Sequence, residues 1–205
     1  MNNIDRIFTE DALEFSDSYF NYLHNVLKKI DKNEIKAFID SILDARERGN
    51  NIFFIGNGGS ASTASHFAND LSIGTNSYEK TFRTFSLCDN NSILTAIGND
   101  FGFEDVFSRQ LQVLGKDGDI VVAISASGNS PNLIKAIEWA QNNGLNTIAI
   151  TAFDGGKLKQ MAKRVVHVPT EKGEYGPAED AHLILNHLVG GYLNRLVKSS
   201  IKENC

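Results

Sequence analysis

Cysteine is scarce in this chain of 205 residues, which contains only Cys88 and Cys205. The two do not form a CxxC pair or any other metal-ligand spacing, so we expect incidental thiols in a reducing cytoplasm. No apolar run approaches the ~18 residues that a membrane-spanning helix needs. The first residues, MNNIDRIFTEDALEF, lack the basic and then apolar order of a signal peptide. We therefore expect a cytoplasmic protein with no membrane partner.

Positive charge is also in short supply. The chain has 20 Lys and Arg against 25 Asp and Glu, a formal net charge of −5, and no basic run or arm. Nucleic acid is therefore not an expected partner. A phosphate can still be bound, because backbone N–H groups at a helix N-terminus bind anions without lysine. The 41% hydrophobic and 22% charged residues are typical of a globular protein large enough for a substantial core.

Apolar periodicity predicts helices and strands in alternation after a helical N-terminus. Three-to-four spacing over residues 4–48 indicates helix, with a break at DKNE (31–34), where Asp31 or Asn33 can cap the second helix. The predicted strands are NIFFI (51–55), TFRTFSL (81–87), DIVVAIS (119–125), NTIAIT (146–151) and RVVHV (164–168). The predicted helices between and after them cover 60–73, about 91–97, 104–114, 131–142, 156–162 and about 177–197.

This alternation predicts an α/β fold, with a parallel five-stranded sheet flanked by helices on both faces. We expect a single domain over 1–205, in which 1–48 form a helical N-terminal extension and 49–205 form the α/β core. Ligands of such sheets bind beyond the carboxyl ends of the strands. The loops that follow NIFFI, DIVVAIS and NTIAIT are therefore the candidate binding loops.

Two of these loops contain groups suited to a sugar phosphate. The glycine loop, GNGGS (56–60), permits a tight turn and close approach of a ligand, but it lacks the P-loop ending and the full dinucleotide fingerprint. Taken alone, it is equally consistent with a turn that binds nothing. The serine loop, SASGNS (125–130), offers three hydroxyls before Pro131 at the start of a helix, which favours a phosphate site over an ordinary capping turn. The third loop, TAFDGGKL (151–158), is expected to be a supporting wall.

Ionisable residues that could carry chemistry occur on two predicted helices. His66 and Asp70 lie at i and i+4 after the glycine loop, a spacing that suits a shared divalent ion, an acid–base couple or a solvated surface pair. The last helix, which includes GPAEDAHLILNH (176–187), contributes Glu179, Asp180, His182 and His187. Because its neighbours are apolar, His187 by itself is equally a candidate core histidine.

The motifs GNGGSxxxAxHFAxxL, LTAIGNDFGFEDVFSRQ and SASGNSPN, followed by the histidine-bearing last helix, resemble the phosphoheptose isomerases. These enzymes belong to the SIS superfamily of phosphosugar-binding domains, which have a flavodoxin-like three-layer fold. The resemblance runs from about residue 50 to the C-terminus. It implies an aldose–ketose isomerase that converts sedoheptulose 7-phosphate to D-glycero-D-manno-heptopyranose 7-phosphate through an enediolate, for the heptose of lipopolysaccharide or capsule. It also implies a homotetramer with active sites between subunits.

The resemblance further implies one Zn²⁺ per subunit, bound by His66, Asp70, Glu179 and His187. The family has glutamate at the position of Asp70 and glutamine at that of Glu179, so two of the four ligands depart from its pattern. Aspartate reaches ~1.5 Å less far than glutamate, and a misplacement of about 1 Å can lower a rate ~100-fold. The added charge of Glu179 should strengthen binding of the cation. Asp70 and His187 are also the implied acid–base pair.

The implied substrate-binding residues come from both loops, from the GND block and from the last helix. They are Asn57, Gly58, Gly59, Ser60, Asn99, Asp100, Ser125, Ser127, Ser130 and Glu179. Glu179 and His187 are eight residues apart, about 12 Å along a continuous helix, which is a long reach to one ion. Either the helix begins after Glu179, or different subunits contribute the two. Two alternatives remain for function: a noncatalytic SIS regulator that binds a replication initiator, and an isomerase of another sugar phosphate.

Overall fold

A sheet of five parallel strands lies at the centre of the computed structural model, which describes the backbone of residues 1–203 and the side chains of residues 1–199. The strands are β1 (Asn51–Gly56), β2 (Arg83–Ser86), β3 (Ile120–Ser125), β4 (Asn146–Ala152) and β5 (Arg164–Val168). Their spatial order is β2-β1-β3-β4-β5, so the chain adds β2 on one side of β1 and β3 on the other. This reversal is the topological switch point at which ligands of such sheets bind.

Helices cover both faces of the sheet. They are α1 (Asn3–Ile7), α2 (Ala12–Lys29), α3 (Lys32–Arg48), α4 (Gly59–Ser72), α5 (Asn91–Asp100), α6 (Ser108–Leu114), α7 (Pro131–Asn142), α8 (Gly156–Met161) and α9 (Tyr175–Glu203). Alternate residues of the three central strands, β1, β3 and β4, enter two separate cores. One core is formed with α2, α3, α4 and α9, and the other with α6, α7 and α8. The predicted three-layer α/β class is confirmed. No helix within the described residues is long and apolar enough to cross a membrane.

Side-chain caps mark the starts of the N-terminal helices α2 and α3. Asp31 caps α3 by accepting a hydrogen bond from the Asn33 backbone N–H, as its position predicts. A second break, between α1 and α2, contradicts the continuous helix expected from residue 4. There Asp11 caps α2, and Phe8 remains 66% exposed. Phe8 therefore does not pack into the core, although its spacing fits the apolar pattern. The Asp11 cap decides where α2 begins.

The last helix is continuous from Tyr175, so the hypothesis that it begins after Glu179 is wrong. Gly176 and Pro177 lie inside its first turn, where proline is tolerated because the first N–H groups of a helix have no partner within it. Glu179 and His187 therefore belong to one helix, with about 12 Å of axial rise between them.

Cys88 lies beside the first residue of the glycine loop. Cys88 is half-buried, and its thiol approaches the Gly56 carbonyl oxygen at 3.4 Å. Burial raises the pKa of this thiol, which lowers its reactivity. Cys205 lies outside the described residues.

Candidate active site

The glycine loop and the serine loop lie side by side at the carboxyl edge of the sheet. Their strands, β1 and β3, are hydrogen-bonded neighbours, and Gly56 pairs with Ile124 at the point where both loops begin. With the first turn of α9, the loops line a cavity of about 160 Å³. Its polar lining consists of Asn57, Ser60, Ser125, Ser127, Ser130, Tyr175 and Glu179. Folding thus brings together residues that the sequence predicts for phosphate and sugar.

The serine loop is shaped by its own hydroxyls and by the third loop. Ser125 Oγ accepts from the Gly128 N–H at 3.0 Å, and the Gly128 carbonyl accepts from the Leu158 N–H at 3.0 Å. Gly128 has a φ of +64°, and a Cβ there would lie 1.9 Å from the Gly155 carbonyl oxygen. Only glycine fits this close approach. The third loop therefore buttresses the serine loop, as predicted for a supporting wall.

Ser130 stands at the N-cap of α7, yet its side chain makes no capping hydrogen bond. The ordinary explanation for a serine at this position, that its hydroxyl caps the helix, does not apply here. Its hydroxyl lines the cavity together with those of Ser125 and Ser127. The lining residues include no lysine or arginine, so an anion would be held by hydroxyls, amides and the α7 N-terminus.

Asn132 is a site residue that the sequence analysis missed. It is 2% exposed and forms two reciprocal amide hydrogen bonds with Asn57, both of 2.9 Å. The pair joins the glycine loop to the start of α7, and it fixes the amide of Asn57 beside the cavity. Nothing local identifies Asn132, because its importance comes from a partner 75 residues away.

Glu179 extends from the N-terminal part of α9, just after its first turn, onto the start of α4. A Cβ on Gly59 would lie 2.1 Å from Glu179 Oε2, so the carboxylate packs directly against the backbone of Gly59. Burial raises the pKa of Glu179, and the charge of Asp180 acts in the same direction. The glycine loop and Glu179 therefore meet within one chain, at the serine-loop cavity.

A second group forms further along the same pair of helices. His66, Asp70 and His187 each present a ligand atom, and these atoms lie within 4.8 Å of one another. His66 Nε2 is 3.4 Å from Asp70 Oδ2, and the two imidazole rings meet edge to face with centroids 4.9 Å apart. Two imidazoles and one carboxylate form a donor set that suits zinc with an open fourth position.

The helices α4 and α9 run side by side in the same direction, which separates Glu179 from this group. Gly59 meets Glu179 at one end, Asp70 meets Asn186 in the middle, and the Gly74 carbonyl accepts from Asn194 beyond the end of α4. Within one chain Glu179 therefore does not join His66, Asp70 and His187. Two explanations were considered for how Glu179 and His187 could bind one ion. The explanation that different subunits contribute the two residues stays a prediction.

Comparison with known proteins places the chain in a family. The SIS domain profile matches residues 16–152, more than half of the chain. The phosphoheptose isomerase of Akkermansia muciniphila is 40% identical over 146 residues, which cover 71% of this chain and 76% of that protein. The phosphoheptose isomerase GmhA of Neisseria gonorrhoeae superposes with a TM-score of 0.80 at 32% identity, over 89% of this chain and 98% of that one. The chain belongs to the phosphoheptose isomerase family.

A further similar protein agrees with this assignment. The phosphoheptose isomerase of Helicobacter pylori strain P12 is 35% identical over 161 residues, which cover 78% of this chain and 83% of that protein. The resemblance to phosphoheptose isomerases inferred from the sequence is thus confirmed.

In this member of the phosphoheptose isomerase family, the GND block (98–100) lies away from the cavity that the glycine and serine loops line. Asn99 and Asp100 are exposed at the end of α5, where the Asn99 amide donates to Asp100 at 2.8 Å. Neither residue lines the serine-loop cavity of its own chain. Gly58 lines a second cavity of about 170 Å³ on the other side of the glycine loop, together with Cys88 and Phe103. A role for Asn99 and Asp100 in substrate binding stays a prediction.

Proposed function

We propose that this chain is a sugar-phosphate isomerase that converts sedoheptulose 7-phosphate to D-glycero-D-manno-heptopyranose 7-phosphate. The observation that carries the proposal is the convergence of His66, Asp70 and His187 from two helices, one of which begins at a phosphosugar-type loop. Relatives that are 35–40% identical and named phosphoheptose isomerase support the same reaction. We further propose a cytoplasmic enzyme whose product supplies heptose to lipopolysaccharide or capsule.

The residues that line the cavity would bind different parts of the substrate of an aldose–ketose isomerase. Ser125, Ser127 and Ser130 would bind the phosphate, with the α7 N-terminus behind them. Asn57 and Ser60 would contact sugar hydroxyls. Because the phosphate is remote from the reacting carbons, its binding energy can be used to position them.

Asp70 and His187 are the proposed acid–base pair. The reaction requires a base that removes a proton from the carbon next to a carbonyl and an acid that protonates the neighbouring position. Asp70 would accept the proton and His187 would deliver one. His66, Asp70 and His187 would also hold Zn²⁺, since their donor atoms lie close enough to share an ion. When bound, the ion would polarise the carbonyl or enediolate oxygens.

The proposed reaction is tested by incubation of the purified protein with sedoheptulose 7-phosphate, with and without a chelator. We expect turnover that is lost on chelation and restored by added zinc. Fructose 6-phosphate and arabinose 5-phosphate serve as competing substrates in parallel reactions. Binding of the heptose phosphate without turnover would overturn the proposal in favour of a noncatalytic SIS protein. Preferential turnover of another sugar phosphate would overturn the substrate assignment alone. If chelation leaves the rate unchanged, the zinc proposal fails.

We also propose a homotetramer in which Glu179 of one subunit completes the His66, Asp70 and His187 group of another. The separation of about 12 Å along α9 supports this arrangement, because Glu179 does not reach the group in its own chain. The carboxylate of Glu179 would add a fourth ligand and a further negative charge to the proposed ion.

Mixed assemblies test the shared site. Glu179→Ala and His187→Ala subunits, each inactive alone, should regain activity when denatured together and refolded. Random mixing should give about one quarter of wild-type sites, since each site draws independently on two subunits. The matched control is a mixture of Asp70→Ala with His187→Ala, which should stay inactive because both residues lie in one chain's group. Equal inactivity of both mixtures, in tetramers verified by native mass spectrometry to be mixed, would contradict the shared site.

A further inference from the structure

Asn186 is a fully buried amide that lies directly against Asp70. It is on α9, next to His187 in sequence, and its Nδ2 donates to Asp70 Oδ2 at 2.9 Å. Neither its spacing nor the family motifs single it out. The same Asp70 oxygen is the one that lies 3.4 Å from His66 Nε2. Asn186 thus contacts the carboxylate oxygen that faces the histidines.

The amide of Asn186 is only half satisfied. Its Oδ1 is buried without a hydrogen-bond partner among the described residues. A buried oxygen in this state destabilises the fold, and a leucine of similar shape would avoid the penalty. Reversing the amide would place Oδ1 against the Asp70 carboxylate, which is less favourable still. The Nδ2 donor is therefore the feature that accounts for an asparagine at this position.

The carboxylate needs such a donor because it is short and partly open to solvent. The Asp70 side chain is 25% exposed, and its second oxygen accepts from the Asn69 amide at 3.2 Å. On the side of α9, Gly190 leaves space beside it, since a Cβ there would lie 3.5 Å from Asp70 Cβ. A carboxylate in this setting can rotate away from His66 unless it is held.

We propose that Asn186 is a positioning residue that holds the Asp70 carboxylate towards His66 and His187. It acts through Asp70 and touches neither substrate nor ion. The inference rests on the proposed function of Asp70 as ligand and base.

The test compares Asn186→Leu with Asn194→Leu. Asn194 is the matched control, because its Nδ2 also donates from α9 to the α4 segment, at 2.7 Å, but to the Gly74 carbonyl instead of Asp70. The first readout is zinc affinity, measured by competition with a chromophoric chelator. The second is the heptose phosphate assay, resolved into kcat and KM. Thermal melting verifies that each variant is folded, and Asn186→Ser, which is too short to reach Asp70, replaces Asn186→Leu if that variant does not fold.

We expect Asn186→Leu to weaken zinc binding and to lower kcat by about 10- to 100-fold each, with KM little changed. Asn194→Leu should change neither. Retention of wild-type zinc affinity and kcat by folded Asn186→Leu would overturn the inference while the proposed function stands. A wild-type protein that neither binds zinc nor turns over the sugar would overturn the proposed function, and this inference with it.

Discussion

Replacing Asp70 with asparagine is expected to lower kcat for the heptose phosphate by about 100- to 10,000-fold, the range over which a positioned acid or base contributes. Asparagine has the same shape and can occupy the same place beside Asn186, but it cannot accept the proton. The KM should change less than kcat, because the proposed phosphate site is the serine loop, at the carboxyl edge of the sheet. Initial rates over a range of substrate concentrations give both constants.

Asp40→Asn is the control for this substitution. Asp40 also lies in an i,i+4 pair on a helix, with Lys36, but on the exposed surface of α3. Its loss should leave both constants unchanged, since exposed ion pairs contribute little. A folded Asp70→Asn variant with more than a tenth of the wild-type kcat would remove Asp70 from the role of base and leave His187 without its partner.

The second large expected effect is a decrease in the free energy of unfolding at acid pH, caused by His182. This residue is fully buried in α9, where its imidazole approaches the backbone of Thr151, but neither ring nitrogen makes a hydrogen bond of normal geometry with a described residue. Burial lowers its pKa from 6.5 to about 4, while the backbone at Thr151 acts in the opposite direction. Folded protein therefore binds fewer protons than unfolded protein between these values. As the pH falls from about 6.5 to 4, the free energy of unfolding should decrease by about 3 kcal/mol through His182 alone.

Urea unfolding of wild type and His182→Leu at several pH values measures this contribution. At pH 7 the variant should be at least as stable as wild type, because leucine leaves no buried nitrogen unpaired. The difference between the two proteins should then grow in favour of the variant as the pH approaches 4. His24→Gln, which removes an exposed histidine from α2, should follow the wild-type curve. A wild-type minus His182→Leu difference that is independent of pH would show that His182 takes up its proton equally in both states.

Local patterns predicted the loops of the site well. The glycine loop and the serine loop follow predicted strands directly, and turn residues act within a few positions of the chain. The apolar pattern did not predict the break before α2. Phe8 has the spacing of a core residue, but its side chain is exposed to solvent. Periodicity reports which residues could share a face, and it does not report whether anything covers that face.

Local sequence patterns did not predict the contacts of the buried amides in the candidate site. Asn132 and Asn186 are unremarkable within their helices, and each gains its role from a partner on another element. His182 likewise differs from an ordinary helical histidine only because tertiary packing buries it. Burial and partner identity arise from packing between segments far apart in sequence, so a single sequence does not contain them in readable form.

The order of residues alone predicted the three-layer class, the positions of the glycine and serine loops and the His66–Asp70 pair, because each depends on spacings of a few residues. Tertiary structure decided which distant residues meet. It placed His187 with His66 and Asp70, and it placed Glu179 with Gly59 beside the serine loop. The physical reason is that α4 and α9 pack side by side in one direction, so positions eight residues apart on α9 face positions on α4 that are about two to three turns apart.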